Sequence, residues 1–184
     1  YTSLLLIDPV SPAQEATDFL STAAPGTANT GTVDIQDITF PKYEQVYGEL
    51  SIPSINLVCP FLYGDTDEAL EKGVCQYIGS TIVGYGGTTL ACAHVNRHLK
   101  YLYKTKIGDQ IQIRTTYGVY TYKIVYKGVH SANDESAYDL SREDENLVLY
   151  TCYFEQTSLG SVKMRYFVRA NYVSGPLIVD RGNS

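Results

Sequence analysis

Alternation between apolar and polar side chains is clearest in the stretch Val119-Tyr120-Thr121-Tyr122-Lys123-Ile124-Val125-Tyr126. A period of two places every second side chain on the same face, which is typical of a β-strand with one buried side. Comparable strand-like runs lie on both sides of it, at residues 48–53, 88–93, 110–114, 147–151 and 165–173. Residues 115–118, Thr-Thr-Tyr-Gly, separate two of these runs and predict a hairpin turn, with Gly118 free to take a positive φ. We therefore predict a mainly β fold, either a barrel or a sandwich.

The length of the chain fits one domain with an N-terminal appendage. A domain of 184 residues can bury a self-sufficient core, and 17 Tyr with no Trp favour β-structure. We predict an appendage and linker at residues 1–42, with a short helix from Ser11-Pro12 to Leu20, and a β-domain at residues 43–184. Helices in that domain should be few: residues 67–72, closed by Gly73, and residues 98–103.

The charge and the cysteine spacing exclude several classes of function. A net charge of −6 and a pI near 5 give no overall positive field for nucleic acid. The four cysteines form no C-x-x-C pair, which argues against a structural zinc site. His94 and His98 have the H-x-x-x-H spacing, but no Glu follows the first histidine, so the metallopeptidase signature is missing. No cofactor is therefore expected.

An acidic run occupies residues 131–146, with six Asp or Glu side chains against one Arg. The simplest interpretation is a solvated loop. A wall beside a substrate groove and a weak Ca²⁺ site are the alternatives, because oxygen ligands are present without EF-hand spacing.

Three residues near predicted strand ends could form a nucleophilic site. Cys152 follows the apolar run 147–151 and His94 follows the run 89–93, so both are expected where a strand emerges from a sheet. A thiol needs a base or a cation beside it, and a histidine can also protonate a departing amine. Arg165, which begins the last predicted strand thirteen residues after Cys152, could return beside it through a hairpin and donate to an oxyanion.

Other interpretations stay open from the residues alone. Cysteine is often buried and inert, and Cys92 is a second candidate nucleophile. Arg169 has the same strand parity as Arg165, and His98 and His130 are further candidate histidines. A papain-like hydrolase is disfavoured, because its cysteine lies on a helix near the N-terminus. A β-domain that only binds surface proteins or cell-wall glycans is the alternative to an enzyme.

An ordered set of motifs resembles the sortase family. Leu149-Tyr150-Thr151-Cys152-Tyr153-Phe154 resembles the family's apolar strand that ends in Thr-Cys, and Val162-Lys163-Met164-Arg165-Tyr166-Phe167-Val168 is similar to the next strand with its arginine. Ala93-His94 matches the position of the family's histidine. Residues 48–55, 73–80 and 106–109 resemble further segments, so the similarity covers residues 47–173.

Within the family, the sequence is most similar to class D sortases. The similarity rests on Thr-Cys-Tyr at 151–153, Leu-Gly-Ser at 159–161 and Met-Arg-Tyr at 164–166. Two residues depart from the family's usual pattern, and both departures concern substrate preference. Ala93 stands where Gly is usual, and Phe154 directly follows Tyr153 where class D members commonly have an intervening Pro.

The resemblance implies a closed eight-stranded barrel with cysteine transpeptidase activity. It assigns Cys152 as the nucleophile, His94 as the proton-transfer partner and Arg165 as the group that steadies substrate and oxyanion. The implied substrate-binding residues are Ala93, Thr151 and Tyr153.

The resemblance also implies the substrates and the location. A Leu-Pro-x-Thr-Gly-like sorting signal of a secreted surface protein is cleaved after Thr, and the acyl group passes to an amine of a peptidoglycan precursor or a pilin-like protein. Such enzymes act at the extracellular face of a Gram-positive membrane, with the anchor expected outside this chain. Asp8-Pro9 resembles the lid motif of pilin-polymerising sortases, although Asp-Pro is also a common turn start.

Overall fold

The computed structural model describes residues 28–94, 97–157 and 160–182, of which residues 152–157 and 160–163 are described by their backbone pairing. The described strands are β1 (Thr32–Asp34), β2 (Val46–Ile52), β3 (Leu57–Tyr63), β4 (Val74–Gln76), β5 (Thr88–Ala93), β6 (Gln110–Thr115), β7 (Val119–Ser131), β8 (Asn146–Thr157), β9 (Gly160–Ser174) and β10 (Leu177–Val179). The described helices are α1 (Asp67–Lys72) and short 3-10 helices at Ile35–Asp37, Pro53–Ile55, Leu102–Lys104 and Glu135–Ala137. The predicted helix at residues 11–20 and the Asp8-Pro9 motif lie outside the described residues.

Eight strands close into a barrel in the order β2-β3-β4-β5-β8-β9-β7-β6. The pairs β3–β4 and β5–β8 are parallel, and the other neighbouring pairs are antiparallel. β1 and β10 form a separate parallel pair. The predicted mainly β fold with a closed eight-stranded barrel is therefore confirmed, and closure removes the free edges of the sheet.

The barrel interior is filled by alternate residues of its strands. In β7, Tyr120, Tyr122 and Ile124 are buried, whereas the intervening Thr121 and Lys123 are not. All eight barrel strands contribute buried side chains to the same apolar cluster. The period of two seen in the sequence therefore corresponds to the inner and outer faces of the barrel.

The strands β5, β8 and β9 are also covered on their outer faces. Leu90, Val148 and Phe167 form a second buried cluster with Ala137, which belongs to the connection between β7 and β8. Burial on both faces explains why residues 147–151 are almost continuously apolar. The connection at residues 132–145 thus covers part of the wall that carries the predicted site.

Two glycines are required by close packing rather than by φ. The predicted turn forms, with the Thr115 N–H donating to Gly118 O at 2.8 Å. Gly118 does not use the positive φ that is open to a glycine. A Cβ at Gly118 would instead lie 2.4 Å from Pro176 Cγ. Gly73 ends α1 with an extended φ of −168°, and a Cβ there would lie 2.2 Å from Pro60 O.

The segment after β5 differs from its prediction as a helix at residues 98–103. It forms turns that lead into the 3-10 helix Leu102–Lys104. On the N-terminal side, Val119 N–H donates to Ala28 O at 2.8 Å, and Ile38 is buried with Ile82 and Ile178. Residues 28–42, the described part of the predicted appendage, therefore pack on the barrel. The domain boundary at residue 42 stays a prediction.

Candidate active site

The register of β5, β8 and β9 brings the predicted site residues to one level. Ala93 and Thr151 are partners in the parallel pair of β5 and β8, and His94 and Cys152 follow them directly. Cys152 is the partner of Arg165 in the antiparallel pair of β8 and β9. Opposite residues in such a pair have Cα atoms about 4.5–5.5 Å apart. The barrel thus collects three positions that are distant in sequence.

Cys152 does not end its strand, contrary to the prediction. β8 continues to Thr157, whose partner in β9 is Gly160. Arg165 accordingly lies within β9 rather than at its start. β5 nevertheless ends at Ala93, and the pairing of β7 with β9 ends at Ser131. Cys152 therefore lies at the rim of the barrel, and the β8–β9 hairpin continues beyond that rim.

The side chain of Arg165 is positioned by an aromatic platform. Its guanidinium Cζ lies 4.8 Å from the centroid of the Tyr150 ring, and this ring packs on Phe167 at a centroid distance of 5.3 Å. Tyr150 also shares a hydrogen bond with Cys92, and burial raises its pKa, so the phenol stays neutral. A cation over an aromatic face is attracted by the ring quadrupole. Packing of the ring on Phe167 restricts where the guanidinium can lie.

Arg169, the competing arginine, lies at a different level. Its partner in β8 is Val148, and its guanidinium Cζ lies 4.0 Å from the centroid of the Tyr126 ring. Four residues of strand separate it from Arg165, which corresponds to about 13 Å. The register therefore favours Arg165 as the arginine beside Cys152.

His130 extends the same row across β7, where it is the partner of Arg165. Its Nε2 lies 2.8 Å from the Tyr126 hydroxyl, and its Nδ1 lies 2.8 Å from Asp134 Oδ2. Hydrogen bonds from Ser136, and then from His130, lower the pKa of Asp134 to about 2. The sequence identifies His130 only as a further candidate histidine, with no partner. The signal that could have identified it is the His-x-x-x-Asp spacing at the end of β7.

A surface cavity of about 490 Å³ opens beside Arg165. Tyr150 and Leu90 form its floor on the barrel side, and the connection between β7 and β8 contributes Glu135 and Asp139. Tyr77, Asp65, Tyr138 and Leu140 complete the lining. The acidic run is thus more than a solvated loop, because part of it forms a wall of this cavity.

Glu145, the last acidic residue of that run, is buried and stabilises the fold. It is 6% exposed and accepts hydrogen bonds from Gly84 N at 3.1 Å, from Gly86 N at 2.9 Å and from the Tyr122 hydroxyl at 2.6 Å. Burial raises its pKa, and the three donors oppose that shift. Glu145 therefore ties the loop before β5 to the barrel core.

The predicted substrate-binding residues Ala93 and Thr151 have buried side chains. Ala93 belongs to the barrel core, and Thr151 is 3% exposed with no hydrogen-bond partner for its hydroxyl among the described residues. His94 is partly exposed next to them. Tyr153 is placed by its backbone pairing with Met164. The substrate contacts of these residues stay predictions.

The other cysteines are poor nucleophiles. Cys59 and Cys75 are buried thiols, and burial raises the pKa of Cys59 to about 12 and also raises that of Cys75. A thiol with a raised pKa is protonated at neutral pH and therefore unreactive. Cys92, the alternative nucleophile, is only 8% exposed and lies against Tyr150. Its burial disfavours that role.

The described ranges contain neither a candidate metal centre nor a helix that could cross a membrane. There, no group of three or more His, Cys, Asp or Glu side chains is arranged to hold a metal ion. His98 Nε2 lies 3.5 Å from the Glu71 carbonyl oxygen, and burial lowers the pKa of this histidine. Among the described helices, none has the length and apolarity needed to cross a membrane.

Sequence comparison relates the chain to known sortases. The family model of the sortase domain matches residues 50–173. Sortase D of Bacillus subtilis (strain 168) is 31% identical over 152 residues, which are 82% of this chain and 76% of that protein.

Solved structures share the barrel. The Clostridium perfringens sortase D5 transpeptidase aligns with a TM-score of 0.63 at 22% identity, over 73% of this chain and 82% of that one. Sortase C from Clostridium perfringens SM101 aligns with a TM-score of 0.61 at 25% identity, over 72% of each chain. A Clostridium perfringens sortase C structure with the C-terminal cell wall sorting motif aligns with a TM-score of 0.60 at 25% identity, over 71% of each chain.

Proposed function

The chain belongs to the sortase family of transpeptidases, and on this premise we propose that it cleaves a Leu-Pro-x-Thr-Gly-like sorting signal after Thr and transfers the attached protein to an amine. The observation that carries the proposal is the strand register. It puts Cys152 opposite Arg165 and level with His94 at one rim of the barrel.

The first half-reaction forms an acyl-enzyme. The Cys152 thiolate attacks the Thr carbonyl carbon, and Arg165 donates hydrogen bonds to the oxyanion of the tetrahedral intermediate. The peptide C–N bond then breaks, and His94 gives its proton to the leaving amine. The product is a thioester between Cys152 and the carbonyl of Thr.

The second half-reaction transfers the acyl group. An amine from a peptidoglycan precursor or a pilin-like surface protein attacks the thioester carbonyl, and His94 removes the amine proton. The C–S bond breaks, which regenerates the thiolate and leaves a new amide bond. Water can replace the amine, so slow hydrolysis is the default when no acceptor is present.

The cavity beside Arg165 is the proposed binding site for the sorting signal. Its side chains Tyr77, Leu90, Leu140 and Tyr150 supply apolar surface for the Leu and Pro of the signal. A related sortase C was solved with a cell wall sorting motif, which supports recognition of such a peptide. We place the enzyme at the extracellular face of a Gram-positive membrane, held there by an anchor in the full-length protein.

A peptide assay with one matched control tests the proposal. Peptides of the form Leu-Pro-x-Thr-x are incubated with several amines, and the products are identified by mass spectrometry. The wild type should form the amide after Thr, and Cys152→Ala should lower turnover by more than ~10³-fold. Cys59→Ala removes a buried thiol instead, so its turnover per folded molecule should match the wild type. Equal turnover by Cys152→Ala and the wild type would refute the assignment of Cys152 as the nucleophile.

A further inference from the structure

A basic and aromatic segment begins one turn after His94. We call residues 97–106, Arg-His-Leu-Lys-Tyr-Leu-Tyr-Lys-Thr-Lys, the basic segment; it holds four of the 14 Lys and Arg residues and no Asp or Glu. The Arg97 N–H donates to His94 O at 3.1 Å, so the segment starts at the rim that carries the predicted site. The net charge of −6 conceals this local concentration of positive charge.

The basic segment is a fixed surface. Leu99 and Leu102 are fully buried in the barrel core, and the buried Thr105 hydroxyl donates to Leu102 O at 2.7 Å. These anchors hold the intervening side chains outward: Lys100, Tyr101, Tyr103 and Lys104 are all exposed. Because its backbone is held by the core, the segment displays its cations in a defined arrangement.

Two ammonium groups of the segment have no acidic partner. Lys100 Nζ and Lys104 Nζ lie 5.3 Å and 4.6 Å from the centroid of the Tyr101 ring, and neither forms an ion pair with any residue that the structure describes. Arg97, in contrast, is paired with Glu71. The charges of Lys100 and Lys104 are thus available to a ligand.

The rim therefore has two cavities, and only one of them is lined by acidic residues. The cavity beside Arg165 is lined by Asp65, Glu135 and Asp139, whereas a second cavity of about 610 Å³ adjoins the basic segment. Ile55, Asn56, Leu57, Arg97, His98 and Tyr101 line this second cavity. A transpeptidase must admit two substrates to one cysteine, the acyl donor before the thioester forms and the amine after it, and a difference in local charge can direct different molecules to two sides.

We propose that the basic segment binds the amine acceptor through free carboxylates of a peptide that carries the amine. This inference rests on the proposed function and names the class of its second substrate. Lysine ammonium groups attract the carboxylates and, by like-charge repulsion, favour the neutral, nucleophilic form of the amine. The location next to His94, which takes the amine proton, argues for an acceptor. An anionic membrane seated on the same surface would cover the approach to that histidine.

Two matched acceptors test the proposal in the intact chain. One probe is acetyl-Glu-Lys with a free C-terminal carboxylate; the other is acetyl-Gln-Lys-amide, which has the same amine without carboxylates. The measured quantity is the ratio of aminolysis to hydrolysis of a sorting-signal peptide at low salt. The wild type should prefer the carboxylate probe, and Lys100→Gln/Lys104→Gln should reduce that preference about tenfold while hydrolysis is unchanged.

A charge-matched variant and a membrane arm complete the experiment. Lys42→Gln/Lys123→Gln makes the same change of net charge on exposed lysines outside the segment and should keep the preference. An equal preference in the wild type and Lys100→Gln/Lys104→Gln overturns the inference. So does loss of binding to phosphatidylglycerol vesicles in that variant without a change in acceptor preference, because the segment would then be a membrane contact. Absence of both aminolysis and hydrolysis in the wild type would instead refute the proposed function.

Discussion

Alanine substitution of Arg165 and, separately, of Arg169 distinguishes an arginine of the site from one that only packs on the barrel. The two guanidiniums have similar surroundings, with Cζ at 4.8 Å from the Tyr150 ring centroid and at 4.0 Å from the Tyr126 ring centroid. A cation–π contact of this kind contributes about 0.5–1 kcal/mol when it is partly exposed. Both variants should therefore lower the free energy of unfolding by a similar, small amount.

Their effects on activity should differ widely. Arg165 is opposite Cys152, and loss of one oxyanion donor lowers the rate by about 10²–10³-fold, or about 2.7–4 kcal/mol of transition-state stabilisation. Arg169 lies about 13 Å further along the strand, beyond hydrogen-bond reach of the same carbonyl. The kcat/KM of Arg169→Ala should therefore stay within about threefold of the wild-type value. Arg165→Lys keeps the charge but loses the planar fork of donors, so its kcat/KM should lie between those of Arg165→Ala and the wild type.

The assay is kcat/KM for cleavage of a fluorogenic sorting-signal peptide, measured beside urea unfolding of each variant. Unfolding separates loss of fold from loss of chemistry. If Arg169→Ala loses as much activity as Arg165→Ala at equal stability, the strand register does not distinguish the arginine of the site from the other one. Full activity in Arg165→Ala would equally refute its proposed role.

Three further predictions concern stability and pH. Glu145→Ala leaves two buried donors, Gly84 N–H and the Tyr122 hydroxyl, unsatisfied at about 1–3 kcal/mol each, and it removes a third, partly buried bond from Gly86 N–H. Urea unfolding should therefore show a loss of at least about 2 kcal/mol, and a loss below about 1 kcal/mol would contradict this. Gly73→Ala forces a Cβ to 2.2 Å from Pro60 O and should cost about 1–3 kcal/mol, visible as a lower Tm, whereas an unchanged Tm would disprove the packing argument. Hydrogen bonds from Ser136, and then from His130, lower the pKa of Asp134 from 3.8 to about 2, so the stabilisation that these bonds give to the start of the β7–β8 connection is complete above pH 3.8 and is lost as the pH falls through about 2. Pepsin cleavage in this connection should accelerate between pH 4 and 2 in the wild type more than in Asp134→Asn, and equal acceleration in both would count against the linkage.

The parts of the fold that the sequence predicted are those with a strong local pattern. Alternation in residues 119–126 marked β7, and the apolar run 147–151 marked β8, because both patterns follow directly from which strand faces are buried. Closure into eight strands came from the resemblance to a family. Local alternation does not specify which strands become neighbours, so it left a barrel and a sandwich equally open.

The parts that the sequence did not predict depend on distant contacts. Pro60 interrupts the pattern of β3, and a proline usually argues against a central strand; here pairing with β4 begins only at the next residue, Phe61. Gly118 could be named as a turn glycine that is free to take positive φ, but the residue that requires a glycine there is Pro176, which lies far away in the sequence.

The site was predicted in the same uneven way. Cys152, His94 and Arg165 could be named because each follows or lies within a strand pattern that resembles one family. The contacts of His130 with Tyr126 and Asp134 could not be predicted in this way. Their link to the site depends on the strand register that puts His130 opposite Arg165. The cation–π platform of Tyr150 likewise exists only after β8 and β9 are paired.

Trapping of the acyl-enzyme tests the central claim most directly. The intact protein is mixed with a Leu-Pro-x-Thr-x peptide without an acceptor amine, quenched in acid, weighed by mass spectrometry and digested. We expect a mass increase equal to the acyl fragment that ends in Thr, located on the digestion product with Cys152 and released by hydroxylamine. An adduct on Cys59, Cys75 or Cys92, or turnover without any thioester, would contradict it.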